Sequence, residues 1–293
     1  MTTATERYHE RLRRVLEYID QHADQALNLE TLSRIAAFSK FHFHRQFTAV
    51  MGLSLHRYIQ LVRMKRASWR LAFREGQTVI DIAMGAGYET PDAFTRAFRQ
   101  QFGQTPTAFR KEPDWDSWLE AFTPYDHARA QLMKTSYTAN DVTIVQVPTT
   151  PVAVMTHRGD PARLGHTIQR FIAWRKSVGL HPRASATFNV FHSDPRSTPP
   201  DEFRMDLCAA TDQIVAPNDA GVEGGLIPGG RCARLRVIGS SDDLEAPALY
   251  LYRDWLPASG EETRDFPMYC ERVRFFPDVP EHEAITDLFL PLR

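Results

Sequence analysis

Phe94, Phe98 and Phe102 recur every fourth residue while Thr95, Arg96 and Arg99 fall between them, so the pattern predicts a short amphipathic helix that packs by its phenylalanines and exposes hydroxyls and cations. Thr90 and Pro91 open that helix and Gly103 stops it. Just ahead, Val79, Ile80, Ile82 and Ala83 predict a shorter helix ending in a turn around Gly85 to Gly87. The whole pattern occurs twice. Leu29, Leu32, Ser33, Ala37 and Phe38 match Val79, Ile82, Ala83, Gly87 and Tyr88 at fifty positions (79 − 29 = 50), and Phe43, Arg45, Phe47 and Gly52 match Phe94, Arg96, Phe98 and Gly103 at fifty-one (94 − 43 = 51). Self-similarity of this kind outranks either copy alone.

Around the two copies the pattern stays helical. Residues Thr5 to Asp24 carry Tyr8, Leu12, Val15, Leu16 and Ile19 on one side. Asn28 and Ser39 are N-cap residues for the two helices of the first copy. A long helix from Ser54 to Phe73 alternates aliphatic positions with Arg57, Arg63, Lys65, Arg66 and Arg70, and reads as a rigid strut between the copies. Thr105 and Pro106 start a last short helix. Residues 113–140 break the composition with Pro113, Trp115, Trp118 and Pro124, and are expected to form an ordered linker whose tryptophans pack on a domain, with a short helix from Tyr125 to Met133.

After residue 140 the signal turns mixed. Strands are expected at Val142 to Val147, Pro151 to Met155, Ala186 to Phe191, Phe203 to Ala209, Arg231 to Ile238, Met268 to Phe276 and Ile285 to Leu290, with helices at Leu164 to Val178 and Ala246 to about Trp255. Ile168, Phe171, Trp174, Gly179 and Phe188 match Leu249, Tyr252, Trp255, Gly260 and Tyr269 at eighty-one (255 − 174 = 81), a second duplication of a strand-helix-strand-strand unit. The fold class is therefore multidomain: an all-α part at residues 1–112, the linker, and an α+β part at residues 141–293.

The net charge of −1 hides an asymmetry: residues 1–112 hold 17 Lys and Arg against 11 Asp and Glu (+6), and residues 113–293 hold 18 against 25 (−7). A cationic helical part suits a polyanion and an acidic part does not. Three scattered cysteines without CxxC spacing fit a reduced compartment and no zinc site, and neither a leader nor a membrane span is evident, so a cytoplasmic protein without membrane contact is expected. His42 and His44 are two residues apart and point in different directions on a helix, so no metal is expected there, and no cofactor is expected elsewhere. The absence of coiled-coil heptads favours a monomer.

The two helix-turn-helix copies, the strut and the closing Gly103-Gln104-Thr105-Pro106-Thr107-Ala108-Phe109-Arg110-Lys111 resemble the DNA-binding domain of AraC/XylS-family transcriptional regulators over about residues 7–112. The resemblance implies double-stranded DNA as a partner, with RNA polymerase beyond it. It points to Phe41, His44 and Arg45 in the first recognition helix and Pro91, Asp92, Thr95, Arg96 and Arg99 in the second. Arg45 and Arg96 are the expected base or phosphate contacts, because arginine grips guanine with two hydrogen bonds. Asp92 departs from the amide that relatives often carry, and Pro91 cannot donate a backbone hydrogen bond, so the second copy is expected to position more than it reads.

The duplicated second part resembles GyrI-like effector-binding domains, on segments such as Asp254 to Gly260 and Asp278 to Leu292. That resemblance implies a central groove for a small amphipathic, often cationic, effector, lined here by Trp174, Phe188, Tyr250, Trp255, Met268, Cys270 and Arg272; aromatics also fill cores. By position the family's groove glutamate falls on Cys270, and strand alternation sends Glu271 to the other face. A preference for neutral or anionic ligands over cations is the resulting expectation. A ligand-responsive transcriptional regulator is the leading reading, with a protein-interaction regulator and a GyrI-like hydrolase as alternatives. No catalytic set emerges, since Cys270 has no positioned histidine partner.

Overall fold

The computed structural model describes residues 4–132, 137–194, 197–239, 244–274, 276, 278–279 and 283–293. Met133 to Ser136, within the expected linker and including the last residue of its expected helix, and residues 280–282, within the segment quoted for the second resemblance, lie outside them, as does Phe275 in the expected last-but-one strand. The chain divides into two units, Met1–Lys134 and Thr135–Arg293.

In the first unit, α1 (Ala4–Gln21) is followed by the helix pair α2 (Leu29–Ile35) and α3 (Lys40–Met51), the strut α4 (Leu55–Phe73), the second pair α5 (Val79–Gly85) and α6 (Pro91–Phe102), α7 (Pro106–Lys111) and α8 (Trp115–Leu132). Short polar residues open each helix from α2 to α7. The side chains of Asn28, Ser39, Ser54, Thr78, Thr90 and Thr105 accept from backbone N–H groups of the first turn, and Thr78 with Asp81 completes a capping box. Gly52 and Gly103 end α3 and α6 in the left-handed conformation, at φ 64° and 70°. The turn inside each pair also needs a left-handed residue: Gly87 at φ 77° serves the second pair, while the first uses Ala37 at φ 53°.

The phenylalanine stripes pack as their spacing requires: Phe43, Phe47, Phe94, Phe98, Phe102 and Phe109 are buried. Eleven residues of α4 are buried, so it is the central core helix, about 28 Å long at 1.5 Å per residue. Its basic residues are spent inside the unit. Arg63 donates to the carbonyls of Ala23 and Gln25 at 2.7 and 2.8 Å, Arg66 donates to that of Asp20, and Lys65 is buried against Asp126 at 3.6 Å.

The segment read as a linker contributes most of its length to this unit. Trp115, Trp118, Phe122, Tyr125 and Arg129 fall at helical spacing along α8 and are buried. Trp118 Nε1 donates to Ser68 Oγ at 2.7 Å. Arg129 pairs with Asp20 at 2.7 Å and donates to Tyr58 at 3.1 Å, joining α8 to α1 and α4 through a buried ion pair. The tryptophans pack as expected, but the helix starts at Trp115 rather than Tyr125, because the aromatic period runs straight past Pro124, which sits inside it.

The second unit is an antiparallel sheet of eight strands with helices on one face. Its elements are β1 (Val142–Val147), β2 (Thr150–Arg158), α9 (Leu164–Ser177), β3 (Thr187–Phe191), β4 (Arg204–Ala210), β5 (Glu223–Ile227), β6 (Gly230–Ile238), α10 (Glu245–Tyr250), a π turn (Leu251–Trp255), α11 (Leu256–Ser259), β7 (Tyr269–Arg274) and β8 (Ile285–Pro291). The order β1-β6-β8-β7-β3-β4-β2-β5 is unchanged when the halves are exchanged, so a pseudo-twofold passes between β3 and β7, where Asn189 faces its own equivalent Cys270 (270 − 189 = 81).

The second half thus has one more strand than expected, and the repeated unit is strand-strand-helix-strand-strand. Gly224 and Gly225 erase the alternation of β5, which is the equivalent of β1 at eighty (227 − 147 = 80). The edge strands are exchanged, β1 pairing with β6 of the other half and β5 with β2. The repeat is also not uniform. Val152, Ala153 and Met155 match Cys232, Ala233 and Leu235 at eighty, and Phe171 matches buried Leu251 rather than exposed Tyr252, whereas Trp174 and Trp255 match at eighty-one. The extra residue is absorbed by the π turn, the usual way a helix accommodates an insertion.

Candidate functional site

The two recognition helices present their non-phenylalanine faces to solvent. On α3, Phe41, His44 and Arg45 are exposed, Phe41 by 88%. On α6, Pro91, Asp92, Arg96 and Arg99 are exposed and Thr95 is partly so. All eight residues expected to face DNA lie on α3 or α6, away from the buried phenylalanines. Arg45, Arg96 and Arg99 make no ion pair among the described residues, which leaves their guanidinium groups available to phosphates or bases. Pro91 and Asp92 have a local cause. Pro91 occupies the first helical position, where its missing N–H costs nothing, and Asp92 sits in the first turn where a negative charge is favoured by the helix dipole.

The seven residues expected to line an effector groove do not share one surface. Trp255, Met268 and Cys270 are buried together with Leu251, Leu288 and Leu290 beneath the second-half helix, and Tyr250 packs at that cluster's margin against Tyr137. Trp174 stacks on Phe171 under α9 at the edge of a separate cluster. Arg272 is on the helix face as alternation required, but its Nε donates to Asn189 Oδ1 at 2.9 Å. Met268 and Cys270 are packed into the cluster on the helix side of the sheet. Only Phe188 lies on the opposite face of the sheet.

That opposite face carries the richer chemistry. Phe188, Val190, Cys208, Tyr269 and Phe289 form its core, joined by Val145, Val147 and Ile227 from the two edge strands as the sheet curls. Tyr269 stacks on Phe289 with ring centroids 4.9 Å apart. Glu271 projects onto this face, directly opposite Phe188 on β3 and Asp287 on β8. It is half-buried and makes no hydrogen bond or ion pair among the described residues. Burial, and then the charge of Asp287, push its carboxyl above the ordinary range. Asp287 is itself held by Arg236 through two bonds of 2.7 Å.

The equivalent acid in the first half, Asp206, accepts from Thr156 Oγ1 at 2.7 Å and contacts His192 Nε2 at 2.6 Å. Burial alone would raise this carboxyl, but those hydrogen bonds and the neighbouring Arg204 hold it below the ordinary value. The acid set aside by sequence reasoning as facing the wrong way is thus the one on the aromatic face, and the alternation that excluded it from the helix face is what places it there. The physical ground for expecting a preference against cations goes with that correction.

The three thiols, Cys208, Cys232 and Cys270, are buried, and burial pushes each of them up, away from the thiolate a nucleophile requires. No group of histidine, cysteine and carboxylate side chains suited to a metal occurs among the described residues. No helix there is long and apolar enough to cross a membrane.

Residues 140–293 match the family model for the GyrI-like small molecule binding domain. The chain belongs to the GyrI-like family. Residues 32–112 of this GyrI-like chain match a helix-turn-helix domain model. Among curated relatives, the probable transcriptional regulator YgiV of Escherichia coli (strain K12) is 39% identical over 153 residues, which is 52% of this chain and 96% of the relative. The regulatory protein SoxS of Salmonella typhimurium (strain LT2) is 35% identical over 96 residues, 33% of this chain and 89% of SoxS. The right origin-binding protein of Escherichia coli (strain K12) is 33% identical over 107 residues, 36% of this chain and 37% of that protein. The chain therefore joins an AraC-type DNA-binding domain to a GyrI-like small-molecule-binding domain, the organisation of a transcriptional regulator.

Proposed function

We propose that this regulator reads its operator with Arg45, Arg96 and their neighbours on α3 and α6, and that the aromatic face of the curled sheet takes an amphipathic effector whose cationic group pairs with Glu271. The observation that carries the effector reading is Glu271 itself: a half-buried carboxylate without a hydrogen-bonding partner, its ionised form disfavoured by burial and by Asp287, beside Phe188 and Tyr269. A cation placed there relieves both penalties, and the aromatic rings add cation–π attraction. RNA polymerase is the expected protein partner, and the cytoplasm the expected compartment. The buried thiols support a regulator over a hydrolase.

Two measurements test this. A mobility shift on the chain's own upstream DNA at about 150 mM salt with excess competitor tests operator binding, since affinity without salt is uninterpretable. Calorimetry with an aryl-methylammonium compound and its neutral alcohol tests the effector site. The ammonium should bind tighter, and Glu271→Gln should erase the difference; equal binding of the two by the unaltered protein refutes the pairing.

A further inference from the structure

Three basic residues stand in one row across neighbouring strands on this same face. Arg158 on β2 is directly opposite Arg204 on β4. The register that pairs Phe191 with Met205 carries His192 to the position beside Arg204. All three point to the face that bears Asp206, because Arg204 Nη2 lies 3.3 Å and His192 Nε2 2.6 Å from its carboxylate. Like charges directly opposite on adjacent strands destabilise a sheet, and one carboxylate does not neutralise two arginines. Arg158 is exposed and makes no ion pair among the described residues, and the Nε of Arg204 is buried without a hydrogen-bond partner.

The fold does not require these charges. The equivalent of the Arg158–Arg204 pair in the second half is Ile238 opposite Ile285 (238 − 158 = 80; 285 − 204 = 81), while at the position matching His192 a bulge brings Arg274, ion-paired with Glu283 at 3.0 Å, opposite Ile285. The same architecture thus tolerates an uncharged pair where the first half has Arg158 opposite Arg204, and that arginine pair is particular to one half.

From this row we infer a subsite for an anionic group, a carboxylate or phosphate, carried by the effector. The inference rests on the reading that the aromatic face is the effector site. The row lies two residues beyond Val190, and Glu271 lies two residues the other way from Tyr269, the partner of Val190. Along the strands that separates the basic row from the acid by four residues, about 13 Å at 3.3 Å per residue. The ligand class that fits is an elongated amphipathic zwitterion, with an aromatic body between a cationic end on Glu271 and an anionic end on Arg158, Arg204 and His192. Val190 stands where the second half has Glu271 (271 − 190 = 81), so the two ends are not interchangeable and the ligand has one orientation.

The test uses the full chain and three rigid probes: biphenyl-4-carboxylate, biphenyl-4-ylmethanaminium, and the zwitterion 4′-(aminomethyl)biphenyl-4-carboxylate. Calorimetry should show the zwitterion binding at least tenfold tighter than the ammonium. In Arg158→Gln/Arg204→Gln that advantage should vanish while ammonium affinity holds. Arg158→Gln alone, which breaks no contact of the folded protein, should remove part of it, and this guards against disturbance of Asp206 in the double variant. An ammonium that binds through Glu271 while the zwitterion gains nothing, or gains equally in the double variant, overturns the anionic subsite and leaves the effector face standing. Failure of folded protein to bind any probe overturns the face and the subsite together.

Discussion

Gly87→Ala probes the duplicated helix pair at its tightest point. Gly87 is left-handed at φ 77°, and a methyl group there would lie 2.9 Å from Cζ of Arg63. The left-handed backbone costs alanine about 1 kcal/mol. Arg63 cannot retreat without loosening its bonds to the carbonyls of Ala23 and Gln25, each worth about 0.5–1.5 kcal/mol. The sum is a loss of about 2–4 kcal/mol. The first pair supplies its own control, because Ala37 already holds the equivalent conformation at φ 53°. Ala37→Gly relieves about 1 kcal/mol of strain but adds a similar amount of unfolded-chain freedom, so it should change stability by under about 0.5 kcal/mol. Urea unfolding of the full chain, followed by tryptophan fluorescence from the α8 cluster, reads both. In an Arg63→Met background, where those bonds are already gone, Gly87→Ala should cost only the backbone component. A Gly87→Ala loss below about 1 kcal/mol, or a cost unchanged by the Arg63 replacement, refutes this account of the turn.

Arg96→Ala should weaken specific operator binding by about 1–3 kcal/mol if the guanidinium reads a base, and an unchanged specific-to-nonspecific ratio in competition shifts would assign it to phosphate. Arg129→Met should destabilise the first unit by about 3–5 kcal/mol by breaking its buried ion pair with Asp20, with Asp20→Asn in the same background restoring part of that, as thermal unfolding can show. Because the folded-state pKa of Asp206 is depressed, its contribution is present above the unfolded carboxylate pKa and is lost as pH falls through the folded value; Asp206→Asn should therefore flatten the acid limb of a stability–pH profile. Glu271 has the opposite sign, its raised pKa meaning that stability declines as pH rises through the carboxylate range and just above it, and Glu271→Gln should remove that decline.

The helical part was legible nearly to the residue because its signals are local. Ser39 and Gly52 bound α3, and the phenylalanine period fixes which face is buried. α8 was misread because Pro113, Asp114 and Pro124 carry strong local breaking signals while the evidence for packing, the spacing of Trp115, Trp118, Phe122 and Tyr125, is spread over three turns. In the second part most strands were found, but the seven residues expected to share one groove fall in separate clusters on the two faces of the sheet. Trp255 and Met268 look alike whether they fill a core or wall a groove, and only the position of the helices decides. Alternation separated Glu271 from Cys270 correctly; which of the two sides lacks a covering helix is a property of topology, invisible along a single strand. The π turn was likewise hidden, since a one-residue slip in an eighty-residue repeat still leaves Trp174 and Trp255 aligned.

The exchanged edge strands tie the two halves of the sheet into one object. Neither half is complete without a ladder supplied by the other: β2 has β5 as its outer neighbour and β6 has β1. A chain ending before residue 223 would leave the outer edge of β2 bare and β1 with nothing to pair, so the halves should unfold in a single step. The same geometry describes how such a sheet arises. One β-β-α-β-β unit standing alone could satisfy its strands only by lending its first strand to a second copy, a reciprocal homodimer, and joining the two genes end to end turns that mutual loan into an intramolecular contact. The two units now differ side by side within one sheet, one setting Arg158 against Arg204 where the other sets Ile238 against Ile285.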